Sequence, residues 1–125
     1  MTIKSSQALV LEALKTIKTI SPDKALELLK DNKCNLIDIR DVRELEKEGK
    51  VEKSHHMPRG MLEFWLDPQS PYSRNINFDK EIILFCAAGL RSALATKTLC
   101  EMGFKKVSHI EGGFSSMKNK DFKII

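Results

Sequence analysis

The stretch Glu81–Ser92, which reads EIILFCAAGLRS, constrains the fold more than any other part of the chain. Its first half is bulky and apolar, and its second half turns small after Cys86 before a helical pattern begins. This order predicts a buried strand, a tight loop and the start of a helix. Strands are predicted at 35–39, 82–86 and 107–110, with a short edge strand within 16–20, and helices at 5–18, 21–30, 41–48, 60–66, 91–102 and 114–118. The alternation predicts an α/β fold with a mainly parallel central sheet flanked by helices on both faces.

The loop after the central apolar strand has the composition expected around a nucleophilic cysteine. Ala87, Ala88 and Gly89 carry little or no side chain, so successive backbone N–H groups can form an anion-binding nest. The first turn of the following helix adds unpaired N–H groups, so Cys86 should ionise more readily than a free thiol. Arg91 adds a fixed positive charge and planar donors. Taken alone, Cys86 could also be a buried thiol at a strand end, but its neighbours favour a reactive one.

The composition of the chain is that of one ordinary globular domain. It has 125 residues, of which 42% are hydrophobic and 30% charged, with a net charge of +4. Aromatic residues make up only 6%, which disfavours a single-strand nucleic-acid reader. Three cysteines without a C-x-x-C pair disfavour a disulfide framework or a metal site. Without a secretory signal pattern or a run of about 20 apolar residues, we expect a cytoplasmic protein that does not enter a membrane.

Three motifs resemble those of the rhodanese-type sulfurtransferases. The segment Cys86–Ser92, CAAGLRS, resembles their active-site loop, and Leu36–Arg40, LIDIR, resembles a central strand that ends in Asp-x-Arg. Val107–Phe114, VSHIEGGF, resembles the last strand and its Gly-Gly turn. The motifs occur in the family's order, and the resemblance covers residues 17–120. It leaves an N-terminal helical extension at 1–16 and a C-terminal tail at 121–125.

The resemblance implies a sulfurtransferase that uses a covalent persulfide on Cys86 and no separate cofactor. The sulfane sulfur would come from thiosulfate or a persulfide donor and pass to a thiol or cyanide acceptor. A protein sulfur donor or acceptor is an alternative partner. Ser92 is expected to cap the helix after the loop. The residues implied to bind the sulfur through the loop are Ala87, Ala88, Gly89, Leu90, Arg91 and Ser92.

Four further residues are expected to support the loop. Asp38 lies in an apolar run, so its carboxylate should accept loop N–H groups or pair with an arginine, and the alternative is a general base. The resemblance makes Arg40 an organiser of the loops, and Glu44 matches an acidic family position that should pair with an arginine. Arg59 could add to the positive field around Cys86.

The segment Gly49–Gly60 departs from the family's Gly-His-Ile-Pro-Gly-Ala pattern, so we expect an altered loop there. His55 and His56 follow on a predicted short strand, where adjacent side chains point to opposite faces and cannot easily share a metal ion. Phe64 and Trp65 are expected to belong to the core, and the alternative is that one of them shapes the entrance to the active site.

Two other cysteines and three other functions remain to be considered. Cys34 and Cys100 are expected to be buried and inert, although either could resolve an oxidised Cys86. A phosphatase or arsenate reductase would use a similar loop, but the Cys-x5-Arg type has one residue more than the four between Cys86 and Arg91. A non-enzymatic persulfide carrier and a partner-docking domain are further alternatives.

Overall fold

The computed structural model describes residues 2–125, and within that range five parallel strands form one sheet. In chain order the strands are β1 (Lys18–Ile20), β2 (Cys34–Asp38), β3 (His55–His56), β4 (Glu81–Phe85) and β5 (Val107–Ile110). Their order across the sheet is β1-β5-β4-β2-β3, so β4 is central. The α-helices are α1 (Ser6–Leu14), α2 (Pro22–Lys30), α3 (Val42–Glu48), α4 (Leu62–Leu66), α5 (Leu90–Met102) and α6 (Gly113–Met117), with a 3₁₀ turn at Arg59–Met61.

Helices cover both faces of the sheet, which confirms the predicted α/β fold. Ile37 of β2 and Leu84 of β4 pack with Leu99 of α5 on one face. Phe85 of β4 lies on the opposite face and packs with Phe114 of α6. This alternation follows from the pleat of a strand, and burial on both faces explains why β4 is a continuous apolar run.

The ends of the helices follow local sequence signals, with one difference. Ser21 caps α2 by accepting a hydrogen bond from the Lys24 backbone N–H at 3.1 Å. Gly103 ends α5 in a left-handed conformation, with φ 106°. The first helix was predicted to run to Lys18, but α1 ends at Leu14. The prediction was too long because Lys18 already pairs with β5.

The last residues pack onto the domain. The Phe122 side chain is 6% exposed and lies in the core with α2 and α6. Ile124 forms an antiparallel bridge with Val51, and the backbones of Lys50 and Ile125 exchange hydrogen bonds of 2.9 and 2.8 Å. The segment after α3 is thereby tied to the C-terminal end of the chain.

Helix length and polarity rule out a membrane-spanning helix anywhere in residues 2–125.

The sheet places the cysteine loop between two neighbouring strand ends. Because β4 lies between β2 and β5, Cys86 follows the middle of the sheet at its carboxyl edge. Ligands of open parallel sheets bind at this edge, where loops from adjacent strands converge.

Candidate active site

The sulfur of Cys86 lies at the focus of the predicted loop. Its Sγ accepts hydrogen bonds from the backbone N–H groups of Gly89, at 3.1 Å, and Ser92, at 3.4 Å. The Ser92 hydroxyl lies 3.5 Å from the same sulfur. Gly89 adopts φ 95°, a left-handed conformation that is accessible to glycine and turns the chain from the loop into α5. The loop therefore forms a nest of donors around one sulfur atom.

These donors change the acidity of the Cys86 thiol. Burial opposes its ionisation and is the largest single influence, since the residue is 0% exposed. The Ser92 hydroxyl and the backbone N–H groups of Ser92, Ala88 and Gly89 together outweigh it. The pKa of Cys86 therefore lies below its ordinary value, as the sequence predicted from the small residues of the loop.

The Gly-Gly turn before α6 holds the loop from behind. The backbone N–H of Phe114 donates to the Cys86 carbonyl at 2.8 Å, and that of Ser115 donates to the Ala87 carbonyl at 3.0 Å. A Cβ atom on Gly113 would overlap the Cys86 carbonyl oxygen, so only glycine permits this approach. The turn motif found in the sequence thus contacts the cysteine loop directly.

Arg91 forms an ion pair with Glu44 of α3 across the loop. Its two terminal nitrogens donate to the two carboxylate oxygens at 2.8 and 2.9 Å. Hydrogen bonding to Arg91 lowers the pKa of Glu44 to about 2. Glu44 therefore pairs with an arginine as expected, and the planar donors expected to meet a substrate oxyanion are already engaged.

Asp38 and Arg40 form a second pair, which is buried. An Arg40 terminal nitrogen donates to the Asp38 carboxylate at 2.7 Å, and both side chains are at most 1% exposed. Arg40 also donates to the Gly49 carbonyl at 2.9 Å and lies 4.1 Å from the centroid of the Phe114 ring. Arg40 thus connects the end of β2 with the segment after α3 and with α6, which fits the expected loop organiser.

A cleft of about 510 Å³ opens beside the loop. Its walls are α3, Ala87 and the start of α6. They carry both basic and acidic side chains, those of Arg43, Lys47 and Lys118 and those of Asp41, Glu44 and Glu48. The cleft is therefore the structure's candidate approach to Cys86.

Phe64 and Trp65 do not line the cleft beside the cysteine loop. Trp65 lines a different cleft near His55, and the Arg74 guanidinium lies 4.0 Å from its ring centroid. The Phe64 side chain is 54% exposed. Trp65 packs against the core as expected, whereas the expected place of Phe64 in the core is wrong. The entrance alternative is also wrong, because α4 packs on α5 while α3 and α6 line the cleft beside the loop.

Arg59 is also directed away from the cysteine. Its guanidinium donates to Glu63 at 2.6 Å and to the Thr98 hydroxyl at 3.4 Å. The structure therefore joins Arg59 to α4 and α5 rather than to the loop.

Sequence reasoning missed His109, which lies behind Ser92. The Ser92 hydroxyl is 2.8 Å from His109 Nδ1, and His109 is 2% exposed. A polar residue inside the apolar strand VSHI was the signal that could have identified His109.

The expected role of Ser92 as a helix cap is wrong. The N-cap of α5 is Gly89, and no side chain caps this helix.

The other two cysteines differ in accessibility. Cys34 is buried, and burial raises its pKa to about 11. Cys100 is exposed on α5, so the expectation that it is buried was wrong. Within residues 2–125 there is no group of three or more His, Cys, Asp or Glu side chains positioned to hold a metal ion.

Comparisons with known proteins agree with this architecture. The sequence profile of the rhodanese-like domain matches residues 21–120. The thiosulfate sulfurtransferase GlpE of Glaesserella parasuis is 27% identical over 109 residues, covering 87% of this chain and 94% of the relative. The polysulfide-sulfur transferase homodimer of Wolinella succinogenes superposes with a TM-score of 0.76 and 34% identity, covering 95% of this chain and 85% of that one.

A further solved structure has a different description. It is a protein of unknown function from Rhodopseudomonas palustris, described as a possible tyrosine phosphatase. It superposes with a TM-score of 0.91 and 45% identity, covering 100% of this chain and 98% of that one. The profile match, together with the cysteine loop at the carboxyl edge of the sheet, shows that the chain belongs to the rhodanese-like domain family.

Proposed function

We propose that the protein is a sulfurtransferase that carries a sulfane sulfur on Cys86. The observation that carries the proposal is the convergence of two backbone N–H groups and the Ser92 hydroxyl on one buried sulfur. Such a nest stabilises a single negative charge on a thiolate or a persulfide. No separate cofactor is needed, because the intermediate is covalent.

The reaction is a double displacement. The Cys86 thiolate attacks the outer sulfur of thiosulfate, the S–S bond of the donor breaks, and sulfite leaves with the electron pair. The acceptor, a thiolate or cyanide, then attacks the outer sulfur of the Cys86 persulfide. The S–S bond to Cys86 breaks and the cysteine thiolate leaves with the pair, so no oxidant or reductant is consumed.

The cleft beside the loop supports small anionic donors and acceptors. Arg43 pairs with Asp41 and Glu44 with Arg91, so Lys47 and Lys118 outweigh Glu48 among the remaining charges of its walls. Thiosulfate is an anion, and the positive charge of Lys47 and Lys118 raises its local concentration. The reaction also requires a reduced cysteine, so we assign the protein to a reducing, cytoplasmic environment.

A phosphatase is the second candidate, favoured by the Rhodopseudomonas palustris relative. Phosphoryl transfer needs donors for several oxygens, and arginine is the residue best suited to supply two of them. Here both terminal nitrogens of Arg91 are bound to Glu44, and only four residues separate Cys86 from Arg91. The smaller loop with its arginine engaged favours sulfur over phosphate.

The test is the intact mass of the purified, reduced protein before and after thiosulfate, followed by cyanide. We expect a gain of one sulfur atom that cyanide removes as thiocyanate. The Cys86→Ser variant should fold normally and gain no sulfur. The Cys100→Ser variant is the matched control, because it removes an exposed thiol that could otherwise take up sulfur nonspecifically.

The other outcomes separate the alternatives. Sulfur uptake by Cys86→Ser that matches the wild type would reject the proposed mechanism. Cys86-dependent hydrolysis of a phosphate ester without any sulfur gain would establish the phosphatase. Sulfur gain from a protein persulfide but not from thiosulfate would indicate a carrier, and neither activity would leave a partner-docking domain.

A further inference from the structure

A chain of polar side chains runs from the cysteine to the edge of the sheet, on the side away from the cleft. Ser92 Oγ lies 3.5 Å from Cys86 Sγ and 2.8 Å from His109 Nδ1. The other ring nitrogen of His109, Nε2, lies 3.0 Å from the Thr19 hydroxyl. Ser92 and His109 are 0% and 2% exposed, whereas Thr19 is exposed on the edge strand.

Three elements of the fold bring this chain together. Thr19 of β1 and His109 of β5 are directly paired in the sheet, so their side chains lie on the same face. Ser92 belongs to the first turn of α5, which packs on that face. The arrangement therefore depends on the edge strand as well as on the cysteine loop.

The chemistry of the groups fixes the direction of each hydrogen bond when Cys86 is ionised. A thiolate can only accept, so the Ser92 hydroxyl must donate to it. The serine oxygen then accepts from His109, which requires a hydrogen on Nδ1. Burial lowers the pKa of His109 and so favours the neutral ring, whose bare Nε2 then accepts from the Thr19 hydroxyl.

We propose that His109 is a positioning residue that acts through Ser92, holding the serine hydroxyl in the orientation that donates to the Cys86 thiolate. The inference rests on the proposed sulfur transfer and deepens it. The Cys86 thiolate is the leaving group when the acceptor takes the sulfur, and a better stabilised thiolate leaves faster. His109 thus favours discharge of the persulfide without touching the substrate.

The charged groups around Cys86 lie on elements other than β5, which carries His109, and they form ion pairs. Arg91 of α5 binds Glu44 of α3, and Arg40 binds Asp38 at the end of β2. The ring nitrogens of His109 itself, among the residues described, bind only the hydroxyls of Thr19 and Ser92. A substitution at His109 therefore changes the donor chain and leaves these ion pairs in place.

The test measures the pKa of Cys86 from the pH dependence of its alkylation by iodoacetamide, in a Cys100→Ser background. His109→Leu should raise this pKa by about one unit, because it weakens a hydrogen bond to the charged form of the cysteine. His109→Asn, whose amide N–H can occupy the position of Nδ1–H, should keep it within a few tenths of a unit. Cyanide discharge of the persulfide should slow in the Leu variant and keep the wild-type rate in the Asn variant.

Two further variants make the result decisive. Ser108→Ala changes a residue that is also buried in β5 but lies on the opposite face, and it should leave the Cys86 pKa unchanged. Ser92→Ala removes the link itself and should raise the pKa by at least one unit, a result that does not depend on the folding of the Leu variant.

An unchanged pKa in Ser92→Ala or in folded His109→Leu overturns the proposal, as does an equal rise in the Asn and Leu variants. Alkylation needs no sulfur donor. If the variants shift the Cys86 pKa but the wild-type protein transfers no sulfur, the proposed function is rejected. The role of His109 in stabilising the Cys86 thiolate is then retained.

Discussion

Replacing Gly113 with alanine tests whether the turn before α6 holds the cysteine loop. Gly113 has φ 56°, and a Cβ atom there would overlap the Cys86 carbonyl oxygen and lie 2.9 Å from the Ala87 carbonyl carbon. These neighbours are backbone atoms that cannot rotate away. To relieve the overlap, α6 must separate from the loop and lose the two hydrogen bonds donated by its first turn.

Gly103 provides the matched control. It has φ 106°, and a Cβ atom there would meet nothing within 4 Å. Gly103→Ala should therefore lose only the ~1–2 kcal/mol of a left-handed alanine. Gly113→Ala carries a similar backbone cost, and two lost hydrogen bonds add ~1–3 kcal/mol. Its total loss in the free energy of unfolding should be ~2–5 kcal/mol.

Urea unfolding, followed by the fluorescence of the single tryptophan, Trp65, measures both variants. The pKa of Cys86 should also rise in Gly113→Ala, because its nest of donors is displaced, and stay at the wild-type value in Gly103→Ala. Equal loss of stability in the two variants, with the same Cys86 pKa, would refute the argument that α6 supports the loop.

Two ion pairs give further predictions. Asp38→Asn leaves Arg40 buried without its carboxylate, so the free energy of unfolding in urea should fall by ~3–5 kcal/mol. A change near zero would mean that the other contacts of Arg40 are sufficient to compensate its charge. Because the pKa of Glu44 is about 2, against an ordinary 4.5, the pair with Arg91 stabilises the fold fully above pH 4.5 and is lost as the pH falls towards 2. Because the pair is partly exposed, Glu44→Gln should be less stable than the wild type by ~1 kcal/mol at neutral pH. The free energies of unfolding of the two proteins should converge at low pH, and a difference that stays constant with pH would contradict this.

The sequence predicted those parts of the fold and site that are encoded locally. The apolar run of β4, the small residues after Cys86 and the start of α5 are contiguous, and each limits the conformation of the next. The direction of the Cys86 pKa shift could be predicted from that segment, because the donors to its sulfur belong to Ala88, Gly89 and Ser92.

The partners of the loop could not be predicted from local patterns, because they come from distant parts of the chain. Arg91 meets Glu44, which precedes it by 47 residues, and Ser92 meets His109, which follows it by 17. The suggested position of Trp65 at the entrance to the site was wrong for the same reason. Apolar and aromatic residues indicate burial but not the face against which they pack.

The charges around Cys86 support the proposed persulfide over a phosphorylated cysteine. Arg91 is paired with Glu44 and Arg40 with Asp38, so the two arginines near the loop are each balanced by a carboxylate. Net charge therefore contributes little, and the thiolate is stabilised by dipoles within about 3.5 Å of the sulfur, the backbone N–H groups and the Ser92 hydroxyl. Dipoles at that distance are suited to stabilising one unit of negative charge on one atom. A phosphoryl group carries more charge on several oxygens and would require an arginine free of its carboxylate, so the pairing of Arg91 favours sulfur as the atom that Cys86 receives.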